Sequence, residues 1–351
     1  MIYTITFNPA VDVVIDIDNV KFGDINRTAT QQIFYGGKGI NVSYVLRNLG
    51  RENQAWGFLA GPIGHEMEEA LVEDGIDCQF VLLPEGNTRI NTKLRSQVSG
   101  AYDSPVQRSS IDEEAGWFDD GSYETEITVA NTAADSGATR TIETAFNAAG
   151  PVADKMAQLK LFSMLQSTTD GDVLVVSGGV LGNVSDHAYA RIIESQKGKN
   201  VKVVIDATGA LLLNTLSHHP FLIKPNNDEL AEIVECDPSD YAALVDGARL
   251  LRELGAENVL VSRGGDGAFL LDEEGVLHEH SGVQGQLVNS VGAGDSTVAG
   301  FVHGYLEALE QGVDDVYEHA FKYALACGSA TAFAQGLATK QEIEAALTCV
   351  C

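Results

Sequence analysis

The stretch Asn289-Ser290-Val291-Gly292-Ala293-Gly294-Asp295-Ser296 is a glycine-rich turn that ends on a carboxylate and runs into the apolar helical pattern of Thr297 to Leu309. Gly292 and Gly294 can adopt backbone conformations closed to other residues, and the following helix start offers unpaired N–H groups. The turn therefore predicts a phosphate or oxyanion site. Asp295 beside it suits a general base for an attacking hydroxyl, but it could equally only cap the helix.

A second glycine-rich helix start lies near the N-terminus, in Gly36-Gly37-Lys38-Gly39-Ile40-Asn41-Val42. It follows a strand-like run and opens an apolar helical pattern that stops at Gly50. It is not a Walker A loop, because no Ser or Thr follows Gly-Lys. It is not a dinucleotide-binding fingerprint either, because Val42 stands where the last glycine would be. The chain thus has two predicted anion sites outside both common patterns.

Four sequence blocks, in this order, resemble those of the PfkB, or ribokinase-like, carbohydrate kinases. In that family a Gly-Gly-x-Gly-x-Asn segment holds the sugar and a Gly-Ala-Gly-Asp segment performs phosphoryl transfer, and both are intact here. Between them lie two further family blocks, KPNNDE at 224–229 and SRGGDGA at 262–268. The chain is most similar to the branch of 1-phosphofructokinases and tagatose-6-phosphate kinases, through TFNPAVD at 6–12, TRINTK at 88–93 and ETAFNAAGP at 143–151.

The resemblance implies roles at the phosphoryl-transfer end. Asp295 would be the general base, and the N–H groups of Gly292, Ala293 and Gly294 would hold the charge on the transferring group. Asn226 and Glu229 would orient Mg²⁺ through water, although these two residues would also suit a helix capping box. The residues expected to meet ATP are Lys224, Asn226, Ser262, Gly264 and Gly267.

The resemblance also implies a sugar-phosphate site. Asp12 and Asn41 would bind sugar hydroxyls, and Gly37 and Gly39 would allow their close approach. The substrate's own phosphate would face Lys38, Arg89, Asn91 and Lys93. The last three alternate along a predicted strand and so project from one face, where they could also simply protect a solvent-facing edge.

Composition agrees with a soluble, globular enzyme and predicts a strongly acidic surface. Fifty Asp and Glu against 22 Lys and Arg give a net charge of −28, which argues against a nucleic-acid partner. We expect a cytoplasmic protein, since no apolar run approaches the ~20 residues of a membrane span. Five scattered cysteines predict no disulfide framework or zinc site. His278-Glu279-His280 would place two imidazoles on one face of a solvated strand, with no third metal ligand.

The fold class predicted is α/β, with a ribokinase-like, doubly wound, mostly parallel sheet, helices on both faces and a small β-strand lid. Apolar runs at 173–176, 201–205, 221–223, 259–261 and 268–271 alternate with helical stretches at 187–194, 228–234, 241–254 and 316–333, as in parallel βαβ units. One domain over 1–351 is expected, with lid strands within 9–35 and 87–150. An acidic insert at about 97–139 would protrude from the lid, and its composition from Asp103 to Asp135 favours flexibility.

The leading hypothesis is an ATP-dependent, Mg²⁺-requiring kinase for a ketohexose phosphate, with fructose 1-phosphate first and tagatose 6-phosphate second. A kinase for an unphosphorylated sugar or nucleoside is the enzyme alternative. Lys38, Arg89 and Lys93 argue against this alternative, because a neutral substrate gives no reason to place cations at the site of so acidic a chain. A sugar-phosphate sensor without activity is the non-enzyme alternative, and intact Asp295 disfavours it. The resemblance further implies a homodimer formed through the lid.

Overall fold

A computed structural model of the chain describes residues 1–17, 20, 23–28, 30–99, 127–129 and 139–350. The predicted insert from Asp103 to Asp135 lies outside the described residues apart from 127–129. The strands are Ile2–Thr6 (β1), Ala10–Asp16 (β2), Thr30–Gly36 (β3), Asn53–Ala60 (β4), Asp77–Leu83 (β5), Arg89–Ser99 (β6), Ile127–Val129 (β7), Thr139–Phe146 (β8), Val173–Ser177 (β9), Lys202–Asp206 (β10), Leu222–Ile223 (β11), Asn258–Ser262 (β12), Ala268–Leu271 (β13) and Leu277–His280 (β14).

The helices alternate with most of these strands, as the sequence pattern predicts. They are Lys38–Asn48 (α1), Gly61–Glu73 (α2), Lys155–Met164 (α3), Ala188–Ser195 (α4), Gly209–Leu213 (α5), Asn227–Val234 (α6), Tyr241–Glu253 (α7), Ala293–Gln311 (α8), Val316–Phe333 (α9) and Lys340–Leu347 (α10).

The larger sheet has the strand order β14-β13-β12-β11-β10-β9-β1-β4-β5. Pairing is parallel from β12 to β5, so the mostly parallel α/β class is confirmed. The prediction of a parallel strand at Ala268–Leu271 is wrong, because β12, β13 and β14 form an antiparallel meander. Only a short turn, Gly264–Asp266, connects β12 to β13, which leaves no length for a crossover helix.

Both faces of the larger sheet are buried, which explains why its strands read as unbroken apolar runs. Along β9, Val173 and Val175 pack in the core layer of α1, α8 and α9, while Leu174 and Val176 pack in that of α3 and α4. The two helix layers leave the carboxyl ends of the parallel strands as the natural ligand edge.

The smaller sheet has the order β3-β2-β6-β8-β7 and is built from the strands predicted for the lid. β2 pairs with β6 in parallel, with Asp12 opposite Asn91. β6 and β8 form the predicted antiparallel hairpin strands, with Thr92 opposite Phe146. This pairing holds the polar residues of β2 and β6 side by side above the larger sheet.

The pair His278 and His280 lies on one face of β14, as alternation predicts. The prediction of a solvated strand is wrong, because both rings face α9. His278 is held between Asp272, 2.9 Å from Nε2, and Glu318, 3.1 Å from Nδ1, and His280 Nε2 lies 2.7 Å from Glu318. In the part of the chain that the structure describes, no group of His, Cys, Asp and Glu has the arrangement of a metal site.

Candidate active site

The helix α8 begins at the predicted glycine-rich turn. Its N-cap is Gly292, whose φ of 81° lies in the left-handed region that favours glycine. Asp295 is the third residue of the helix and not its N-cap, and its side chain bonds to Asn41, so the alternative of a simple capping residue is wrong. The turn is not fed directly by a strand, since β14 ends at His280 and residues 281–290 form an irregular segment.

Asp295 is buried, with 6% of its surface exposed, and its Oδ2 accepts a hydrogen bond of 2.7 Å from Asn41 Nδ2. This bond joins the two glycine-rich blocks across 254 residues of sequence. Burial first, and then the negative charge of Asp206, raise the pKa of Asp295 to about 6, against the opposing effects of Lys38, the Asn41 bond and Lys224. A carboxylate with a pKa near neutrality is a competent general base.

The first turn of α8 provides the N–H groups for an anion. The first intrahelical bond runs from Ser296 N to Gly292 O, so the amides of Ala293, Gly294 and Asp295 precede it and have no acceptor within the helix. Of these, Ala293 N–H donates to Ser290 O at 3.2 Å. Among the three predicted anion-hole residues, Gly292 and Gly294 therefore have amides without an acceptor in the described part of the chain, and that of Gly294 lies in the first turn, with the helix dipole behind it.

Two lysines meet beside this helix end, on a carboxylate that sequence reasoning missed. Lys224 Nζ lies 3.2 Å from Asp206 Oδ1, and Lys38 Nζ lies 3.7 Å from Asp206 Oδ2. Asp206 is 2% exposed and closes β10, so a carboxylate at the carboxyl end of a predicted strand was the available signal. Its burial alone would raise its pKa, but the nearby ammonium groups, Lys224 before Lys38, hold that pKa below its usual value.

Asn226 and Glu229 form a capping box at the start of α6. Asn226 Oδ1 accepts from Glu229 N at 2.7 Å, and Glu229 Oε2 accepts from Asn226 N at 2.8 Å. The alternative prediction of a helix capping box for Asn226 and Glu229 is therefore confirmed. One carboxylate oxygen of Glu229 is not used in the box, which fits Mg²⁺ held through water and substrate phosphates rather than in a protein cage.

The residues predicted for ATP converge at the carboxyl ends of β11 and β12. An isolated parallel bridge pairs Asn226 with Ser262, and Ser262 N donates to Pro225 O at 3.3 Å. Gly264 has open space where a side chain would be, so its backbone is accessible to a ligand. Gly267 instead packs against the backbone of His280, where an added Cβ would lie 2.2 Å from the carbonyl oxygen.

A cleft of about 330 Å³ separates the smaller sheet from the α/β body. Asp12 and Lys93 line it from β2 and β6, and Asn41 lines it from α1. Asn91 stands behind Asp12 and donates to its Oδ1 at 2.9 Å, which fixes the carboxylate. The cleft therefore joins one predicted cation, Lys93, to the two residues predicted to bind sugar hydroxyls.

Arg89 and Lys38 are placed differently from Lys93. The two Nη groups of Arg89 donate to the backbone carbonyls of Asn8 and Ala148, at 3.0 and 3.2 Å, and its buried Nε has no protein partner. Burial lowers the pKa of Arg89, and Asp12 opposes this. Lys38 points to Asp206 at the phosphoryl-transfer end. Of the cations expected around one substrate phosphate, Lys38 thus lies at the phosphoryl-transfer end, whereas Arg89 and Lys93 both lie on the side of Asp12.

Gly37 and Gly39 are required by packing within the protein. A Cβ on Gly37, where φ is 138°, would lie 2.8 Å from Thr6 Cγ2, and a Cβ on Gly39 would lie 2.6 Å from Thr6 Oγ1. Both glycines are thus needed for the close packing of the start of α1 on the end of β1, and the approach of a sugar to them stays a prediction. The start of α1 consequently sits against the end of that strand, which brings Asn41 and Lys38 to Asp295.

An α/β sheet with a polar cleft beneath a smaller sheet, and a buried carboxylate at a helix start beside two lysines, suits a kinase that acts on a small molecule. The model of the "pfkB family carbohydrate kinase" matches residues 5–112 and 122–344. The chain therefore belongs to the pfkB family of carbohydrate kinases and is a phosphotransferase.

Relatives and solved structures agree with this membership. The 1-phosphofructokinase of Bacillus subtilis is 33% identical over 344 residues, 98% of this chain and 96% of that protein. The D-tagatose-1-phosphate kinase of Bacillus licheniformis is 30% identical over 98% of this chain and 96% of that protein. A Staphylococcus aureus protein provisionally named a phosphofructokinase is 34% identical, with a TM-score of 0.75 over 100% of this chain and 98% of that one.

Proposed function

We propose that this kinase transfers the γ-phosphoryl group of ATP to the free primary hydroxyl of a ketohexose 1-phosphate, with fructose 1-phosphate as substrate and fructose 1,6-bisphosphate as product. The observation that carries the chemistry is buried Asp295, with a pKa of about 6, at the start of a helix whose N–H groups face outward. The choice of sugar is supported by the names of the relatives at 33% and 31% identity, both 1-phosphofructokinases.

In the proposed reaction the carboxylate of Asp295 takes the hydroxyl proton as that oxygen attacks the γ-phosphorus of ATP. The new P–O bond forms as the bond to the β-phosphate oxygen breaks, and ADP leaves with that electron pair. The amide of Gly294 and the ammonium of Lys224 would face the charge on the transferring group. Asn41 keeps the Asp295 carboxylate oriented through its 2.7 Å hydrogen bond.

The substrate's own phosphate and hydroxyls would occupy the cleft beneath the smaller sheet. Asp12, fixed by Asn91, would accept hydrogen bonds from sugar hydroxyls. Lys93 on the same cleft wall would face the phosphate. Gathering a cation here is needed because a net charge of −28 repels an anionic substrate. A neutral sugar would leave Lys93 without a partner.

Bound Mg²⁺ would supply charge neutralisation for the phosphates of ATP. Asn226 and Glu229 would hold it through water, with their capping box intact. ATP itself would lie along the carboxyl ends of β11 and β12, near Lys224, Ser262 and Gly264. Gly267 would support this loop from the far side rather than touch the nucleotide.

A substrate panel tests the proposal. ADP release would be followed with MgATP and fructose 1-phosphate, fructose 6-phosphate, tagatose 1-phosphate, tagatose 6-phosphate, fructose or ribose. We expect the highest kcat/KM with fructose 1-phosphate, and product that aldolase cleaves. Higher kcat/KM with a free sugar would overturn the phosphosugar assignment, and no turnover with any substrate would favour the sensor alternative.

Tagatose 1-phosphate is the second candidate substrate, because two relatives at 30% and 29% identity carry the name D-tagatose-1-phosphate kinase. It differs from fructose 1-phosphate at one stereocentre and keeps the same reacting hydroxyl. It thus replaces tagatose 6-phosphate as the tagatose substrate that the relatives support. Ratios of kcat/KM for the two 1-phosphates decide between them.

A homodimer through the smaller sheet is also proposed. Ile33, Phe34, Ile90 and Phe146, all on strands of that sheet, are exposed apolar side chains, between 43% and 54% accessible. Light scattering of the wild type and of Ile33→Glu would test it, and a monomeric wild type would refute it.

No helix within the described ranges is long and apolar enough to cross a bilayer. A cytoplasmic location is proposed, and fractionation of cells would test it.

A further inference from the structure

Asp206 is a buried carboxylate at the carboxyl end of β10, for which the proposed mechanism gives no role. It is 2% exposed, and the two charged groups nearest to it come from two different sequence blocks. Lys38, the first residue of α1, belongs to the sugar-binding block, and Lys224, which follows β11, belongs to the ATP-binding block. One carboxylate thus connects the two halves of the site.

The positions of the two ammonium groups depend on this carboxylate. Lysine side chains are flexible four-carbon stems, and neither lysine is fixed by a planar fork as arginine would be. Lys224 is 5% exposed, and its Nζ lies 3.5 Å from the point where a Cβ on Gly294 would be. The Lys38 side chain is 42% exposed and reaches Asp206 from the open side. Without Asp206 both stems would be free to relocate.

Asp206 also acts on Asp295 through space. The groups that face Asp295 are Asp206 from β10, Lys38 and Asn41 from α1, and Lys224 after β11. After burial, the charge of Asp206 is the largest effect that raises the pKa of Asp295, whereas both lysines and the Asn41 bond lower it. Removing Asp206 would remove this negative charge. The pKa of Asp295 would then fall, and Asp295 would be a weaker base.

We propose that Asp206 is a positioning residue for phosphoryl transfer, whose carboxylate holds the ammonium groups of Lys38 and Lys224 on the two sides of the helix end that carries Asp295. The proposal rests on the proposed function, because it assumes that Asp295 is the base. A purely structural role would require Asp206 only to neutralise the buried Lys224.

The experiment compares Asp206→Asn, Asp206→Glu and wild type in steady-state kinetics from pH 5 to 8. We expect Asp206→Asn to lose kcat by roughly ten- to a hundredfold, and the acid limb of its kcat/KM profile to move about one pH unit or more toward lower pH. Asp206→Glu restores the charge but displaces it by a methylene. It should keep the acid limb at the wild-type position while kcat falls.

The matched control is Asp272→Asn. Asp272 is another buried carboxylate, 3% exposed, which follows β13 and bonds to His278 away from the site. Its loss should lower the Tm and leave the acid limb unmoved. If the role of Asp206 were merely structural, Asp206→Asn would likewise lower the Tm and leave the acid limb unmoved.

The outcomes separate this proposal from the proposed function. A folded Asp206→Asn variant with an unmoved acid limb, or with kcat within threefold of wild type, overturns the positioning role even if Asp295→Asn is inactive. If Asp206→Asn does not fold, Asp206→Glu decides, and wild-type kcat in that variant also overturns it. An active Asp295→Asn variant would instead refute the general base of the proposed function.

Discussion

Replacing Asp295 by asparagine is the most direct test of the site. The substitution removes the basic carboxylate and keeps its size, and the new amide oxygen can still accept the 2.7 Å bond from Asn41. A positioned general base contributes roughly 10²- to 10⁴-fold, which corresponds to about 3 to 5 kcal/mol of transition-state stabilisation at 1.36 kcal/mol per decade. We therefore expect kcat to fall by that factor, with the KM of both substrates changed only a few-fold.

Folding should not suffer from this substitution. The pKa of Asp295 is raised to about 6, which means that the folded protein disfavours its charged form at neutral pH. A carboxyl group with a raised folded-state pKa opposes folding above its unfolded pKa, so its removal should leave the Tm at pH 7 unchanged or higher. A large fall in Tm would mean that the environment of Asp295 is not the one described.

The assay is ADP release with saturating MgATP and fructose 1-phosphate, accompanied by calorimetric titration of each substrate. Asp315→Asn is the matched control, since Asp315 caps α9 by accepting from Glu318 N at 2.9 Å, and asparagine caps equally well. Its kcat should equal that of wild type. An Asp295→Asn variant with kcat within tenfold of wild type would refute the assignment of the base.

Three further outcomes are expected. Because burial and then the charge of Asp206 raise the pKa of Asp295 to about 6, kcat/KM should fall about tenfold per pH unit below pH 6. The residual activity of Asp295→Asn should not show this decrease. A wild-type kcat/KM that stays constant down to pH 5 would contradict the assignment of Asp295 as the base. Lys93→Ala should raise the KM for the phosphosugar about ten- to a hundredfold without changing the Tm or the KM for ATP, and Lys340→Ala, at an exposed lysine, is the control. Arg89→Ala should instead lower the Tm, because Arg89 donates to the carbonyls of Asn8 and Ala148. An equal effect of Lys93→Ala on the KM for unphosphorylated fructose would exclude phosphate recognition by Lys93. Gly39→Ala should lower the free energy of unfolding by about 1–3 kcal/mol in urea, since its Cβ would lie 2.6 Å from Thr6 Oγ1. Gly179→Ala is the control, because the space around Gly179 is open and its stability should not change. Equal stabilities of the two variants would show that β1 moves to accommodate the new methyl group.

The fold was largely predictable because it follows from local signals. Apolar runs predicted β9 to β12, and the 3.6-residue period predicted α9 over Val316 to Phe333, the residues that the structure gives. The direction of β13 was not predictable from its own composition. It depends on the three-residue turn before it, and an apolar run reads the same in a parallel and an antiparallel strand.

The candidate site was predictable in its residues but less so in its geometry. The blocks around Gly37 and Gly294 identified the two helix starts, and the structure brings them together through Asn41 and Asp295. The direction in which Lys38 and Arg89 point was not readable, because it depends on Asp206 and on carbonyls distant in sequence. Asp206 was missed since it belongs to no glycine-rich motif and only tertiary packing surrounds it with lysines.

The short outer strand β14 has a consequence for the solubility of the overproduced protein rather than for catalysis. It is one margin of the larger sheet in the described part of the chain, and two of its four residues, His278 and His280, bond to Glu318 of α9. A longer, unclamped margin would invite strands of other molecules to add to it. Glu318→Ala should therefore release β14, bare the apolar strand β13 and send overproduced protein into inclusion bodies, while the molecules that stay in solution keep normal turnover.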